Sequence, residues 1–374
     1  MNLNSRALLL ASATLLTLTP AVSHADYTQT NLVSDQVGVA LHLDPSLINP
    51  WGMSSSATSP IWVSDNATGL QTLYNSTGIK QALVVTVPSA GGGTGTPTGQ
   101  VFNASTDFAN NRFIFATEDG TISSFNGSTT AALRVNNSTG GAVYKGLALG
   151  NSGGSNFLYA ANFNSGKIDV FNAAFAATTL AGNFTDPNAP AGYAPFNVQN
   201  IGGKLFVTYA LQDGAKHDDV SGAGNGFIDV FNTDGTLFQR FATGSSAGGS
   251  LTQLDSPWGM TLAPSGFGDF ANDLLVGNFG DGHINAFNPT SGAFLGQLTS
   301  NGAPIAIDGL WGLLNGNGGN GGSTNAVYFT AGPDNETHGL FGTLQTTPEP
   351  GSYATFLIGS LSAAGFYLRR RRKS

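Results

Sequence analysis

The stretch that decides the fold runs from residue 157 to residue 171: Phe157-Leu158-Tyr159-Ala160-Ala161-Asn162-Phe163-Asn164-Ser165-Gly166-Lys167-Ile168-Asp169-Val170-Phe171. Its first run, Phe157-Leu158-Tyr159-Ala160, is almost continuously apolar, as in a strand covered on both faces. Its last run, Lys167-Ile168-Asp169-Val170-Phe171, alternates polar and apolar residues with the period of two expected of a half-buried strand. Between them Asn164-Ser165-Gly166 supplies hairpin-turn chemistry. The same unit, a β-rich run, a polar turn and a second run closed by an aromatic, recurs along the chain. The closing aromatics are Tyr74, Phe125, Phe171, Phe231, Phe287 and Phe341, spaced by 51, 46, 60, 56 and 54 residues. Each unit holds enough chain for a four-stranded antiparallel sheet, the blade of a β-propeller.

A third element precedes most of these pairs. Pro50-Trp51-Gly52-Met53, Pro257-Trp258-Gly259-Met260 and Leu310-Trp311-Gly312-Leu313 are near copies, with weaker counterparts in Lys145-Gly146-Leu147 and Phe196-Asn197-Val198. These read as innermost strands, where glycine lets converging backbones approach without a Cβ between them. The last unit runs out of chain after three strands. A spare β-like run, Tyr27 to Val33, is available at the other end to complete it and cover the open edges. The expectation is an all-β, six-bladed propeller closed by its N-terminal strand. Two packed β-sandwiches are the alternative, and regular repeats weigh against them.

Glycine makes up 52 of 374 residues, against a helical protein, and the absence of cysteine removes disulfides and thiolate chemistry. The formal charge is −8 overall, but six of the 14 basic residues and one of the 22 acidic ones lie near the two ends. The stretch between keeps 8 basic residues against 21 acidic ones, which excludes a nucleic-acid partner on electrostatic grounds.

The two ends read as addresses. Arg6, the mostly apolar run Ala7 to Leu18, Pro20 and Ser23-His24-Ala25 form a secretory signal over residues 1–25, with cleavage between Ala25 and Asp26. At the other end, Pro348-Glu349-Pro350 precedes a 16-residue apolar stretch, Tyr353 to Leu368, and the basic stop Arg369-Arg370-Arg371-Arg372-Lys373. That stretch is a marginal membrane helix, with the basic residues holding the cytoplasmic side.

This tail resembles the PEP-CTERM sorting signal of Gram-negative bacteria. The resemblance implies an exosortase as processing partner and export across the inner membrane. The product then goes to the periplasm, cell surface or extracellular matrix, initially tethered by the C-terminal helix of this sorting tail, residues 348–374. The repeat region, residues 26–347, is similar to NHL-type six-bladed propellers. It more closely resembles an uncharacterised bacterial propeller family associated with such tails, which implies a fold and export but no activity.

Chemistry is harder to place. The fourth unit carries an insert over residues 212–226, in which His217, Asp218 and Asp219 are candidate cation ligands. Corresponding turns of the other units offer Asp65-Asn66, Glu118-Asp119, Asn162, Asn278 with Asp281, and Asp334-Asn335-Glu336. In a propeller these turns share one rim. Asp65, Asn162, Asp213 and Asp281 are therefore the expected metal set, with Ca²⁺ the ion suited to hard oxygens. Trp51, Trp258 and Trp311 are the expected ligand-binding aromatics, stacking on extracellular polysaccharide. Two Gly-x-Ser-x-Gly sequences, beginning at Gly150 and Gly244, lie in glycine-rich loops with no following helix and support no hydrolase nucleophile. No catalytic set emerges. The reading is a non-enzymatic binding or matrix protein, with polysaccharide or envelope proteins as partners. The competing class is a metal-dependent hydrolase, lactonase or lyase using the rim carboxylates.

Overall fold

The computed structural model describes residues 26–347. The signal-peptide and sorting-tail readings, including the membrane helix, lie outside the described residues. Among the described residues no helix is long and apolar enough to cross a membrane.

Six blades form the described chain. Blade 1 is built from Pro50–Ser54, Ile61–Asp65, Leu70–Tyr74 and Val85–Thr86, and blade 2 from Pro97–Phe102, Phe113–Thr117, Thr121–Ser124 and Ala132–Asn136. Blade 3 follows with Tyr144–Ser152, Ser155–Asn162, Lys167–Asn172 and Ala177–Thr178. Blade 4 holds Tyr193–Ile201, Lys204–Leu211, Phe227–Asn232 and Leu237–Thr243. Blade 5 is Pro257–Leu262, Leu274–Asn278, Ile284–Phe287 and Phe294–Gln297. Each innermost strand packs against the next around the ring, and that of blade 6 returns to blade 1.

Blade 6 takes Leu310–Asn315, Val327–Ala331 and Leu340–Thr346 from the end of the chain and Tyr27–Ser34 from its beginning. The closing strands pair antiparallel from Tyr27 opposite Thr346 to Ser34 opposite Leu340, with one bulge between Asn31 and Val33. The edge expected to be open is thus covered by the N-terminal run.

The glycines behave as the repeat pattern implied. A Cβ on Gly52 would stand 2.5 Å from the Thr98 carbonyl oxygen, one on Gly99 2.5 Å from the Leu147 nitrogen, and one on Gly259 2.4 Å from the Trp311 carbonyl oxygen. Each clash is with backbone of the next blade, which has no rotamer with which to yield. Blade 4 replaces this glycine with Asn197, whose Nδ2 donates to the Trp258 carbonyl at 2.7 Å. The innermost strand of blade 2, Pro97–Phe102, is one that the sequence pattern passed over, because Thr98 stands where three other blades have tryptophan. Between blades lie the apolar cores. The closing aromatics Tyr74 and Phe341 meet across the ring closure at 5.4 Å.

Candidate functional site

Because the innermost strands approach so closely, their large side chains meet on the axis. Trp51 and Trp311 stack at 3.5 Å, and Trp258 stands edge-on to both at 6.0 and 5.7 Å. Phe279 covers Trp311 at 4.0 Å. The three tryptophans are 2%, 4% and 1% exposed. This corrects the expectation that Trp51, Trp258 and Trp311 present rings to a sugar: their faces are turned to one another, and they plug the channel. On one side of the plug remains a cavity of about 240 Å³, lined by innermost strands of all six blades, among them Gly52, Gly99 and Leu147.

A polar cluster lies against Trp51, built on Lys145 of blade 3. This side chain is 1% exposed, and its Nζ sits 4.9 Å from the Trp51 ring centroid. It stands directly before Gly146, in the place that Trp51, Trp258 and Trp311 hold before theirs. Lys145 Nζ donates to Glu118 Oε1 at 2.5 Å and to Asp218 Oδ1 at 3.2 Å. Glu118 comes from the blade 2 turn, and Asp218 from the long insert of blade 4. Burial pulls the Lys145 ammonium towards neutrality, but the Glu118 and Asp218 carboxylates outweigh it and hold its pKa above the ordinary value. The group is a fixed cation, not a free amine.

Asparagines tie the surrounding acids together. Asn66 Nδ2 donates to Glu118 Oε2 at 2.8 Å, and Asn49 Nδ2 donates to Glu336 Oε2 at 2.5 Å while its Oδ1 accepts the Trp311 indole N–H at 3.0 Å. Asn49 has φ 48°, a left-handed conformation that asparagine tolerates better than most residues. Burial pushes the Glu336 carboxyl up to about 7, a rise that Glu118 adds to and the Asn49 hydrogen bond and Lys145 oppose. Five blades therefore contribute to one network around one ammonium.

The residues singled out as metal ligands do not come together. Asp65 is fully buried, and burial raises its pKa well above the ordinary carboxylate range. Asn162 donates to Asp169 Oδ2 at 2.9 Å, and Asp213 Oδ1 accepts the His217 and Asp218 backbone N–H groups, shaping the insert. Asp281 pairs with Asn278 and His283 on blade 5. The geometry instead gathers Glu118, His217 and Asp218, with one ligand atom of each within 4.8 Å of the others. Lys145 was legible as an innermost-strand residue but not as the centre of a site. The one local signal was a lysine in a position that three other blades give to tryptophan.

No protein-family model matches the chain. Among solved structures, a protein of unknown function from Bacteroides thetaiotaomicron aligns with TM-score 0.52 at 12% identity, covering 86% of this chain and 77% of that one. A streptogramin B lyase aligns with TM-score 0.50 at 11% identity, covering 86% of this chain and 98% of its own. At such identities the likeness shows the propeller fold alone. Sequence relatives are closer. An uncharacterised protein of Acanthamoeba polyphaga mimivirus is 34% identical over 332 residues, which are 84% of this chain and 78% of the relative. A second mimivirus protein, also uncharacterised, is 33% identical over 332 residues, covering 84% of each chain. With that identity sustained over most of both lengths, the chain belongs to the family of these two mimivirus proteins.

Proposed function

We propose that the protein is an exported, non-enzymatic binding protein of the envelope or extracellular matrix of a Gram-negative bacterium, with polysaccharide or envelope proteins as its partners. The observation that carries this reading is Lys145. The acids converging on the axis already enclose a cation of the protein's own, 2.5 Å from Glu118 and 3.2 Å from Asp218, above a channel filled with tryptophan. A divalent ion on those carboxylates would stand a few ångströms from the ammonium and be repelled by it.

Export rests on the terminal sequences. The full-length protein, produced in a Gram-negative host that carries an exosortase, is expected to begin at Asp26 and to leave the membrane fraction for the extracellular polymer layer. With Pro348, Glu349 and Pro350 replaced by alanine it is expected to stay with the membrane. Equal release of both forms, read by fractionation and terminal peptide mapping, rejects the sorting step.

One observation favours a second reading. The spacing of Glu118, His217 and Asp218 suits a cation such as Ca²⁺, which would serve a metal-dependent hydrolase, lactonase or lyase. A thermal melt separates the two. The binding reading expects one melting temperature with EDTA and with millimolar Ca²⁺. A Ca²⁺-dependent rise that Glu118→Gln abolishes replaces it with the metal reading.

A further inference from the structure

Away from the axis, a groove of about 700 Å³ opens between blades 3 and 4. One wall is the strand Lys167–Asn172, the other the ends of the strands that carry Tyr193 and Tyr209, and the connection from Thr179 to Ala189 borders it. That connection is anchored at both its features. Phe184 packs edge-on to Tyr159 at 5.6 Å, and Asp186 is ion-paired to Arg240 on the outermost strand of blade 4. Arg240 Nε in turn lies 2.7 Å from buried Asp229, without the geometry of a hydrogen bond.

Two polar atoms at this groove, the Tyr209 hydroxyl and Asp169 Oδ1, make no hydrogen bond within the described residues. Tyr209 is 6% exposed and lines the groove with its ring stacked on Phe227 at 4.2 Å, yet its hydroxyl has no hydrogen-bond partner among the described residues. A hydroxyl that meets the groove without a partner in the fold is free to bond a ligand there. Asp169 is the second. Its Oδ2 accepts both the Tyr144 hydroxyl and the Asn162 amide at 2.9 Å, while Oδ1 is left with no partner. Tyr193, half-buried and tilted against Phe227 at 5.6 Å, adds an aromatic ring beside them.

We infer that this inter-blade groove binds a neutral oligosaccharide, with Asp169 Oδ1 accepting from sugar hydroxyls, Tyr209 bonding a further hydroxyl and Tyr193 packing on a ring face. The combination of one held carboxylate, hydroxyls and an aromatic surface in a volume of this size is what vicinal hydroxyls on an apolar ring require. Asp169, whose Oδ1 has no cationic partner, opposes an anionic ligand beside it. The inference rests on the binding-protein reading and names its ligand class, and it moves the aromatic platform from the axial tryptophans to the edge of the blades.

The test is a printed array of neutral and acidic oligosaccharides, probed with the full-length protein and two variants. Tyr209→Phe removes only a hydroxyl that has no partner in the fold, so its melting temperature should not fall. Its binding to a neutral oligosaccharide should weaken roughly 3- to 10-fold, the worth of one hydrogen bond. Asp169→Asn should weaken it further. If the wild type binds neutral oligosaccharides and Tyr209→Phe binds them equally, the groove is not the site, although the binding reading stands. If the wild type binds acidic oligosaccharides only, the inferred ligand class is wrong although the polysaccharide partner stands; if it binds none, both fall.

Discussion

Deleting residues 26–36 from the N-terminal side of the propeller is expected to abolish cooperative unfolding and to drive the protein into soluble aggregates. The strand Tyr27–Ser34 is the fourth strand of blade 6, joined to Leu340–Thr346 along almost its whole length. It also contributes apolar side chains to two separate cores. Tyr27 (1% exposed) packs on Phe267 of the blade 5 connection at 4.8 Å and donates its hydroxyl to the Phe267 carbonyl at 3.1 Å. Leu32 and Val33 fill the interface between blades 6 and 1 beside Tyr74 and Phe341. Burying three such side chains is worth roughly 5–9 kcal/mol at the usual 1.5–3 each, comparable to the whole stability of a typical domain. The deletion also exposes the edge of Leu340–Thr346, an invitation to intermolecular pairing. Circular dichroism during heating and size-exclusion chromatography read both effects. A truncated protein that melts cooperatively within a few degrees of the parent would show that the ring holds without its closing strand.

Replacing Lys145 by methionine is expected to cost about 3–5 kcal/mol at neutral pH, the range for breaking a buried ion pair by removing one partner. Methionine keeps much of the apolar stem against Trp51, so the loss falls on charge rather than volume. Glu118 bears most of it, with its side chain 11% exposed, whereas Asp218 at 67% is screened by water. The pH dependence identifies the cause. A carboxyl whose folded pKa lies above its unfolded value has its stabilising effect fully present below the unfolded pKa and loses it as pH rises through the folded one. Glu336, held up to about 7 by burial, already gives the parent such a decline between its ordinary pKa and neutrality. Without the ammonium, Glu336 loses a neighbour that opposed its rise. The Lys145→Met deficit should therefore widen from pH 4 towards pH 7, as Glu336 ionises without that neighbour. Lysine's own contribution persists across that whole range, because its folded pKa is raised and is lost only in alkali. Denaturant titrations at several pH values measure this directly, and a deficit constant from pH 4 to 7 would show that Glu336 does not feel the ammonium.

What was legible in the sequence, and what was not, divides along distance. The strand pattern of residues 157–171, the closing aromatics and the Trp-Gly copies are local, since they follow from the two-residue strand period and from the need of each blade to bury both faces. The closing strand was legible by elimination, because three strands at one end and one spare at the other have a single economical pairing. The axial network was not. Glu118 and Asp218 lie 27 and 73 residues from Lys145, on three different blades. Asp and Asn occupy those turns in every unit because they form turns well, so composition at the rim could not distinguish a converging acid such as Glu118 from Asp213, which merely caps its own loop.

The same division accounts for the tryptophans and for the groove. A Trp-Gly pair in a repeat announces that backbones crowd together there, and the amino-acid sequence alone was sufficient for the propeller, its six units and its strand of closure. Whether the indoles open to solvent or stack on one another depends on six strands meeting at one axis. Whether the Tyr209 hydroxyl finds a partner depends on how blade 3 stands against blade 4. These are properties of inter-blade contact, and only the tertiary structure decided them, because no local pattern records which side chain of one repeat will face which of another.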